Sequence, residues 1–328
     1  MSNRTQPDGA QPDCATPDRA RPDRPQPDRP QPDRRQPDRP RARVVVFGPG
    51  YSGAALAGAA ASAGFHVTAI GRQTDAADTR AALSLATHVL STVPPDEHDD
   101  PVLSRYATDL TQAPALRWAG YLSTTGVYGD RGGDWVDEAT TPAPRSARAA
   151  QRVATEAAWA RLADRCAVDL FRLGGIYGPG RSAFDELRAG RARRIIKPGH
   201  AFSRSHRDDI VQAVLAAMRQ PRAACVRVLH LVDDEPAESA AVIEEAARLL
   251  NMPPPSAIQY EIALTTMSPM ARSFWAENRK VSSRATCAAL GIAWHHPTFR
   301  EGLRAILVEE RRLIEARGSS GSSSTTAL

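Results

Sequence analysis

The run Arg43-Val44-Val45-Val46-Phe47-Gly48-Pro49-Gly50-Tyr51-Ser52-Gly53 holds the residues whose types and spacing best suit chemistry. Glycines at 48, 50 and 53 fit a turn around a phosphate. The first permits the tight bend, the second lets main chain approach a pyrophosphate, and the third lets a helix pack closely on a strand. Such a turn binds anions because the amides that begin a helix, here around Tyr51 and Ser52, are unpaired and carry a partial positive charge. The spacing has this meaning only between a strand and a helix. Both are predicted: Val44 to Phe47 reads as a strand buried on both faces, and the Ala-rich Tyr51 to Ala63 as a helix. A dinucleotide site at Gly48, Gly50, Tyr51, Ser52 and Gly53 is therefore the first expectation. After the second strand, His66 to Ile70, Arg72 offers a guanidinium where an NAD site places an acid for the ribose hydroxyls. It favours NADP over NAD, with a surface arginine at a strand end as the plain alternative.

The elements that must position these residues alternate between strand and helix patterns. That argues for an α/β fold, a doubly wound parallel sheet of the Rossmann type with helices on both faces. Further strands are predicted at His88 to Val93, Gly120 to Thr124 and Val168 to Leu173. Helices are predicted at Asp100 to Thr111 and Ser146 to Asp164, the latter capped by Ser146. After Gly180 the pieces shorten: helices at Ser182 to Ala189, Asp208 to Met218 and Glu238 to Leu250, a strand at Val226 to Val232, and a last helix from Thr298 to Ala316. This predicts a dinucleotide-binding domain over 43–180 and a smaller C-terminal α/β lobe over 181–317, interleaved with it. Ligands of open parallel sheets sit beyond the carboxyl ends of the strands, so the glycine turn, Ser91 to Pro95, Ser123 to Thr125 and Gly174 to Gly180 should converge.

The 328 residues, 42% of them hydrophobic, suffice for a sizeable core. Four cysteines, Cys14, Cys166, Cys225 and Cys287, lack ligand spacing, so neither a disulfide framework nor a zinc site is expected. His295-His296 lacks helical ligand spacing and a carboxylate partner, and no metal is read there. No stretch is long and apolar enough to span a bilayer and no signal peptide is evident, which points to the cytoplasm. The pI near 9.3 invites nucleic acid, but residues 1 to 43 hold ten Arg and seven Asp, most of the net +5. The body has no dense basic cluster with interleaved aromatics, so no nucleic-acid partner is expected. Residues 6 to 40 are seven five-residue units built on Pro-Asp, which lack the side chains for a core; 1–42 is expected to be an extended, disordered tail, and Gly/Ser/Thr-rich 318–328 a flexible one.

Four pieces in order, V-F-G-P-G-Y-S-G, Leu122 to Asp130 (L-S-T-T-G-V-Y-G-D), Arg172 to Arg181 (R-L-G-G-I-Y-G-P-G-R) and Ser203 to Ile210 with its Asp208-Asp209 pair, together with S-P-M-A-R-S-F-W at Ser268 to Trp275, resemble an atypical bacterial branch of the extended short-chain dehydrogenase/reductases, the NAD-dependent epimerase/dehydratase-like proteins. The resemblance covers about residues 43 to 315. It implies a Rossmann-type fold, an NADP or NAD cofactor and a small-molecule substrate, a sugar nucleotide or another anion. A homodimer follows by analogy alone. One departure stands out: the family's Tyr-x-x-x-Lys, in which the ammonium lowers the phenol's pKa, falls on Arg148 and Arg152. Neither guanidinium cycles a proton. Four apart on a helix, they form either an anion clamp or two solvated charges.

The resemblance places Thr124 at the family's hydroxyl, as a hydrogen-bond donor or merely a strand end. Tyr128 is the available phenol, with packing as its alternative. Ser91, Thr92 and Pro94 resemble the loop beside the cofactor's ribose, and Gly175 and Ile176 the segment along the nicotinamide. Arg181 and His206 fall on the substrate side, with Asp208 or Asp209 as candidate cap of the next helix. Two functions follow: an oxidoreductase or epimerase working near Thr124, with Arg148 steadying a substrate oxygen and Tyr128 or water carrying the proton, or a catalytically silent NADP-binding redox sensor.

Overall fold

The computed structural model describes residues 42–321, with side chains as far as Glu315. The predicted tails over 1–41 and 322–328 lie outside the described residues. The chain runs through β1 (Arg43–Phe47), α1 (Tyr51–Ser62), β2 (His66–Ile70), α2 (Ala76–Ser84), β3 (His88–Ser91), α3 (Pro101–Gln112) and β4 (Trp118–Thr124). A 3-10 turn at Thr125–Tyr128 and the short β5 (Trp135–Val136) lead to α4 (Ala147–Ala160) and β6 (Ala167–Leu173). Next come β7 (Gly175–Tyr177), α5 (Ala183–Arg188), β8 (Arg194–Ile196), β9 (Arg204–His206), α6 (Arg207–Arg219), β10 (Val226–Leu231) and α7 (Ser239–Leu249). The remainder is β11 (Ala257–Gln259), α8 (Tyr260–Thr265), α9 (Pro269–Trp275), β12 (Lys280–Val281), α10 (Arg284–Leu290) and α11 (Phe299–Gly321), which continues past Ala316 into the stretch expected to be flexible.

Six parallel strands form the main sheet in the order β10-β6-β4-β3-β1-β2. From β1 the chain first adds β2 on one side and then β3 on the other, so the direction of winding reverses between β1 and β3. A crevice must open there beyond the strand ends. Alternation along β1 supplies both layers of the core: Val44 and Val46 pack with Leu56, Ile210 and Val214, while Val45 and Phe47 pack with Leu83, Tyr106 and Trp159. Helices α1 and α6 thus cover one face, and α2, α3 and α4 the other. The strand at 226–231 belongs to this sheet, paired in register with β6 from Val226↔Val168 to Leu231↔Leu173, although it follows the predicted boundary at 180. Parallel pairing across 58 residues leaves no local signature.

The helix starts follow the side chains that cap them. Asp100 accepts from the amides of Val102 and Leu103 at 2.9 Å each, and Ser146 from Ala149 at 3.2 Å. Ser182 and Asp185 form a capping box at α5. Three two-stranded parallel sheets complete the molecule: β7 with β9 beside the Phe184 and Phe299 cluster, β8 with β11 in that of Ile195 and Trp275, and β5 with β12 in that of Val136, Val281 and Tyr128.

Candidate functional site

A cleft of about 590 Å³ opens where the winding reverses, a size typical of small-molecule sites. Its floor is the glycine turn. Gly48 takes φ +81°, and a β-carbon there would lie 2.8 Å from Thr92 Oγ1. Thr92 in turn donates to the Gly48 carbonyl at 2.6 Å, stitching the turn after β1 to the turn after β3. A β-carbon on Gly53 would sit 2.1 Å from the Gly48 carbonyl oxygen, so only glycine lets α1 start this close to β1. Around Gly50 nothing lies within 4 Å of the same position; the space beside that backbone is open to a ligand. Gly50 is also the N-cap of α1, no side chain caps the helix, and its first turn holds no acid. The amides of Tyr51, Ser52 and Gly53 are therefore offered to whatever enters.

Among the described residues, four guanidinium groups line the cleft, those of Arg72, Arg105, Arg152 and Arg181, and no carboxylate, histidine or lysine does. The site is built for an anion. Gly48, Gly50, Tyr51, Ser52, Gly53, Arg72, Thr92, Pro94, Ile176, Arg152 and Arg181, all expected from the sequence, converge here. Ser91 and Gly175 do not: Ser91 is fully buried with its Oγ accepting the Val93 amide, and Gly175 is exposed beyond the cleft. Arg181 reaches from the turn after β7 to within 5.7 Å of the Tyr51 ring, whose hydroxyl donates to the Pro179 carbonyl at 3.1 Å.

None of the three candidate catalytic residues, Thr124, Tyr128 and Arg148, lines the cleft. Thr124 Oγ1 accepts the Gly126 amide at 3.1 Å and caps the 3-10 turn, outside the cleft. Its neighbour Ser123 lines the cleft instead, 6% exposed, its Oγ without a hydrogen-bond partner. Successive residues of a strand face opposite ways, which puts these two hydroxyls on different sides of β4. Tyr128 is fully buried, its hydroxyl between His230 Nε2 at 2.5 Å and Arg172 Nη1 at 2.6 Å, and it donates to the Asp137 carbonyl. Burial pushes its phenol up to about 12, against the pull of Arg172. It is packed inside the molecule and does not line the cleft, in keeping with the packing alternative. Arg148 is exposed and, among the described residues, makes no hydrogen bond or ion pair, so no clamp with Arg152 forms. Arg152 alone enters the cleft, Nη1 donating to Tyr121 Oη at 2.8 Å and to the Leu122 carbonyl at 3.0 Å. Arg105, on the outer turn of α3, went unsuspected because an exposed helical arginine has no local mark of function.

His206 also lies elsewhere. It is 2% exposed and is itself the N-cap of α6, Nδ1 accepting the Asp208 amide at 3.2 Å, in place of Asp208 or Asp209. Asp209 points back to the 295–296 turn, accepting the His295 amide at 2.7 Å and lying 3.1 Å from His296 Nδ1. The carboxylate neighbour that His296 lacks in sequence is thus supplied by the fold. His206, Asp209 and His296 come within metal-binding reach of one another. Yet a cap that accepts through Nδ1 carries its proton on Nε2, which removes the lone pair a metal needs. Burial, helped by the His296 charge, holds His206 down at about 4; burial and Arg117 hold His88, 3% exposed, at about 4 as well. Both sit below the unfolded value of about 6.5. The stability they confer is complete above that value and lost as pH falls from about 6.5 towards 4. The thermal midpoint is expected to drop steadily across this window, and His206→Asn, which can still accept at the cap, to flatten the drop; an unchanged slope in the variant contradicts the assignment.

The order of strands, the reversal between β1 and β3 and the glycine turn at that point define an open, doubly wound α/β protein of the Rossmann type. No family model matches the chain. It is similar to a conserved protein of unknown function from Silicibacter pomeroyi DSS, at 38% identity over 82% of this chain and 99% of that one, with a TM-score of 0.75. It is 31% identical over 140 residues to a Streptomyces protein, 3-diazoavenalumate denitrifying reductase, and the match spans 41% of this chain and 45%, under half, of the reductase. Human epimerase family protein SDR39U1, solved with NADPH, shares the fold at 19% identity, covering 80% of this chain and 98% of its own, with a TM-score of 0.67. The chain thus shares its fold with proteins described as epimerases or epimerase/dehydratase-like. Among the described residues no helix is long and apolar enough to cross a membrane.

Proposed function

We propose that the protein is a nicotinamide-dinucleotide-dependent reductase that prefers NADP and acts on a small anionic electrophile. The observation that carries this reading is the cleft at Gly48 to Gly53, open beside Gly50 and lined by four arginines with no acid. Likeness to a protein named as a reductase and to one solved with NADPH supports it. The pyrophosphate would rest on the amides of Tyr51, Ser52 and Gly53, and the 2′-phosphate would meet Arg72 at the end of β2. Bound there, the cofactor would supply hydride. Arg152 and Arg181 orient a negatively charged group, and Ser123 offers a hydroxyl.

Reduction is favoured over epimerisation by what the cleft lacks. Reversible chemistry at a hydroxyl needs a base that cycles near neutral pH. Here the lining arginines stay protonated, and burial raises the Tyr51 phenol above its ordinary value. An electrophile that accepts hydride and takes its proton from water makes no such demand. The replacement of Tyr-x-x-x-Lys by Arg148 and Arg152 also favours a second reading, a cofactor-binding redox sensor without turnover. Consumption of NADPH with a panel of carboxylate-bearing electrophiles separates the two, since a sensor leaves it unoxidised.

Arg72→Ala tests the cofactor assignment. A charged hydrogen-bond partner is worth about 1.5–3 kcal/mol, so NADPH affinity by calorimetric titration should fall about ten- to a hundredfold while NADH affinity stays within about twofold. Equal losses for the two cofactors, or none, would refute an Arg72 contact with the 2′-phosphate.

A further inference from the structure

Arg152 does not stand alone in the cleft. Its Nη1 is spent on two acceptors, Tyr121 Oη and the Leu122 carbonyl, which leaves the rest of the guanidinium edge to face the cavity. Tyr121 is fully buried and stacks on Trp159, ring centroids 5.8 Å apart and planes within 11°. Trp159, also fully buried, donates Nε1 to Asp100 Oδ2 at 3.1 Å. Asp100, 5% exposed, uses Oδ1 to cap α3, and the first residues of α3, Pro101 and Val102, form the opposite wall of the cleft. Gln151, next to Arg152, donates to the Asp96 carbonyl in the loop that leads into α3. A run of contacts, part-buried at Arg152 and buried from Tyr121 to Asp100, thus links the cation on α4 to the start of α3.

We propose that Tyr121 is a positioning residue: through its hydroxyl it fixes the Arg152 guanidinium at the reactive end of the cleft and ties that position to the start of α3. Two features of the chain support this. An arginine fork can satisfy a phenol and a carbonyl with one nitrogen and still present further N–H groups, whereas a lysine in the same place has only a single ammonium to share. A buried phenol has no water to turn to, so its hydroxyl keeps the guanidinium from swinging into solvent. The inference rests on the cofactor reading above, because what Arg152 meets there is taken to be the half of the dinucleotide beyond the pyrophosphate, or the substrate beside it.

The test uses the full chain and two probes, NADPH and 2′,5′-ADP, which lacks the nicotinamide half. Tyr121→Phe removes one hydroxyl and keeps the stack on Trp159. It should weaken NADPH about fivefold to tenfold, less than the loss of a direct charged hydrogen bond because Tyr121 acts only through Arg152, and leave 2′,5′-ADP within about twofold. A loss of general structure would move both probes together. The doubly substituted protein, Tyr121→Phe with Arg152→Ala, should bind NADPH no more weakly than Arg152→Ala alone, since a residue that works only through another adds nothing once that other is gone. Arg152→Lys carries the same test if the phenylalanine variant does not fold, and should mimic it. Wild-type NADPH affinity in Tyr121→Phe, or additive losses in the double variant, overturns the proposal and leaves the cofactor reading standing. Failure of the unmodified protein to bind either NADPH or NADH removes both.

Discussion

Gly53→Ala should abolish most cofactor binding and destabilise the protein, whereas Gly58→Ala on the same helix should stabilise it. The added carbon at position 53 would lie 2.1 Å from the Gly48 carbonyl oxygen and 3.0 Å from its carbon, both main-chain atoms of the turn that must hold the pyrophosphate. Neither can swing aside as a side-chain tip would. Either α1 moves off β1 or the turn opens, and each displaces the amides of the first helical turn. Overpacking of this kind costs about 1–3 kcal/mol, and NADPH affinity should fall about a hundredfold because its anchoring donors lose their aim. At Gly58 nothing lies within 4 Å of the added carbon. Alanine there improves helix propensity by about 0.8–1 kcal/mol. Thermal unfolding and NADPH titration of the two variants give opposite signs if the glycine turn is a packed ligand cradle, and the same sign if it is an ordinary helix start.

Glu156→Ala is expected to destabilise the fold about as strongly as any single change in it. Glu156 accepts from Arg172 Nη2 at 2.6 Å and from Nε at 3.1 Å and 3.2 Å, with both side chains about 5% exposed. Arg172 also donates to Tyr128 and lies over its ring, and Tyr128 in turn meets His230. Removing the carboxylate leaves a guanidinium buried with only a phenol to answer it. Breaking one side of a buried pair typically costs about 3–5 kcal/mol, and chemical denaturation should show a loss of that size. Glu156→Gln should lose less, because an amide oxygen still accepts one bond. A loss below about 1 kcal/mol in the alanine variant would mean that solvent reaches Arg172 and that the network is loose.

The contrast between Tyr128 and the glycine turn explains what could be read from the sequence. Features set by neighbours in the chain were legible: the buried β1 strand, the glycine spacing, the cap at Ser146, and the approximate limits of most helices. Asp75, which caps α2 by accepting the Ala77 and Asp78 amides, carried the same kind of signal for a helix not anticipated. Features set by distant partners were not legible. Tyr128 reads as either a working phenol or a packing group, and the partners 44 and 102 positions away that bury it leave no local sign. His206 looks like a loop ligand until α6 uses it as a cap. Thr124 and Ser123 are both hydroxyls, and only the facing of β4 assigns one to the cleft and the other to a turn. Arg105 and Arg72 are alike in sequence; one follows a strand, where family pattern suggests a role, while the other reaches the cleft because α3 packs against the sheet.

The central claim is that a nicotinamide dinucleotide lies against the amides of Tyr51, Ser52 and Gly53. Hydrogen–deuterium exchange followed by mass spectrometry, with and without saturating NADPH, tests it most directly. The account predicts slowed exchange in peptides covering 48–56 and 92–94, with the amides around β8 and β11 unchanged. NADPH binding that protects some other part of the molecule and leaves 48–56 exchanging as before would contradict it.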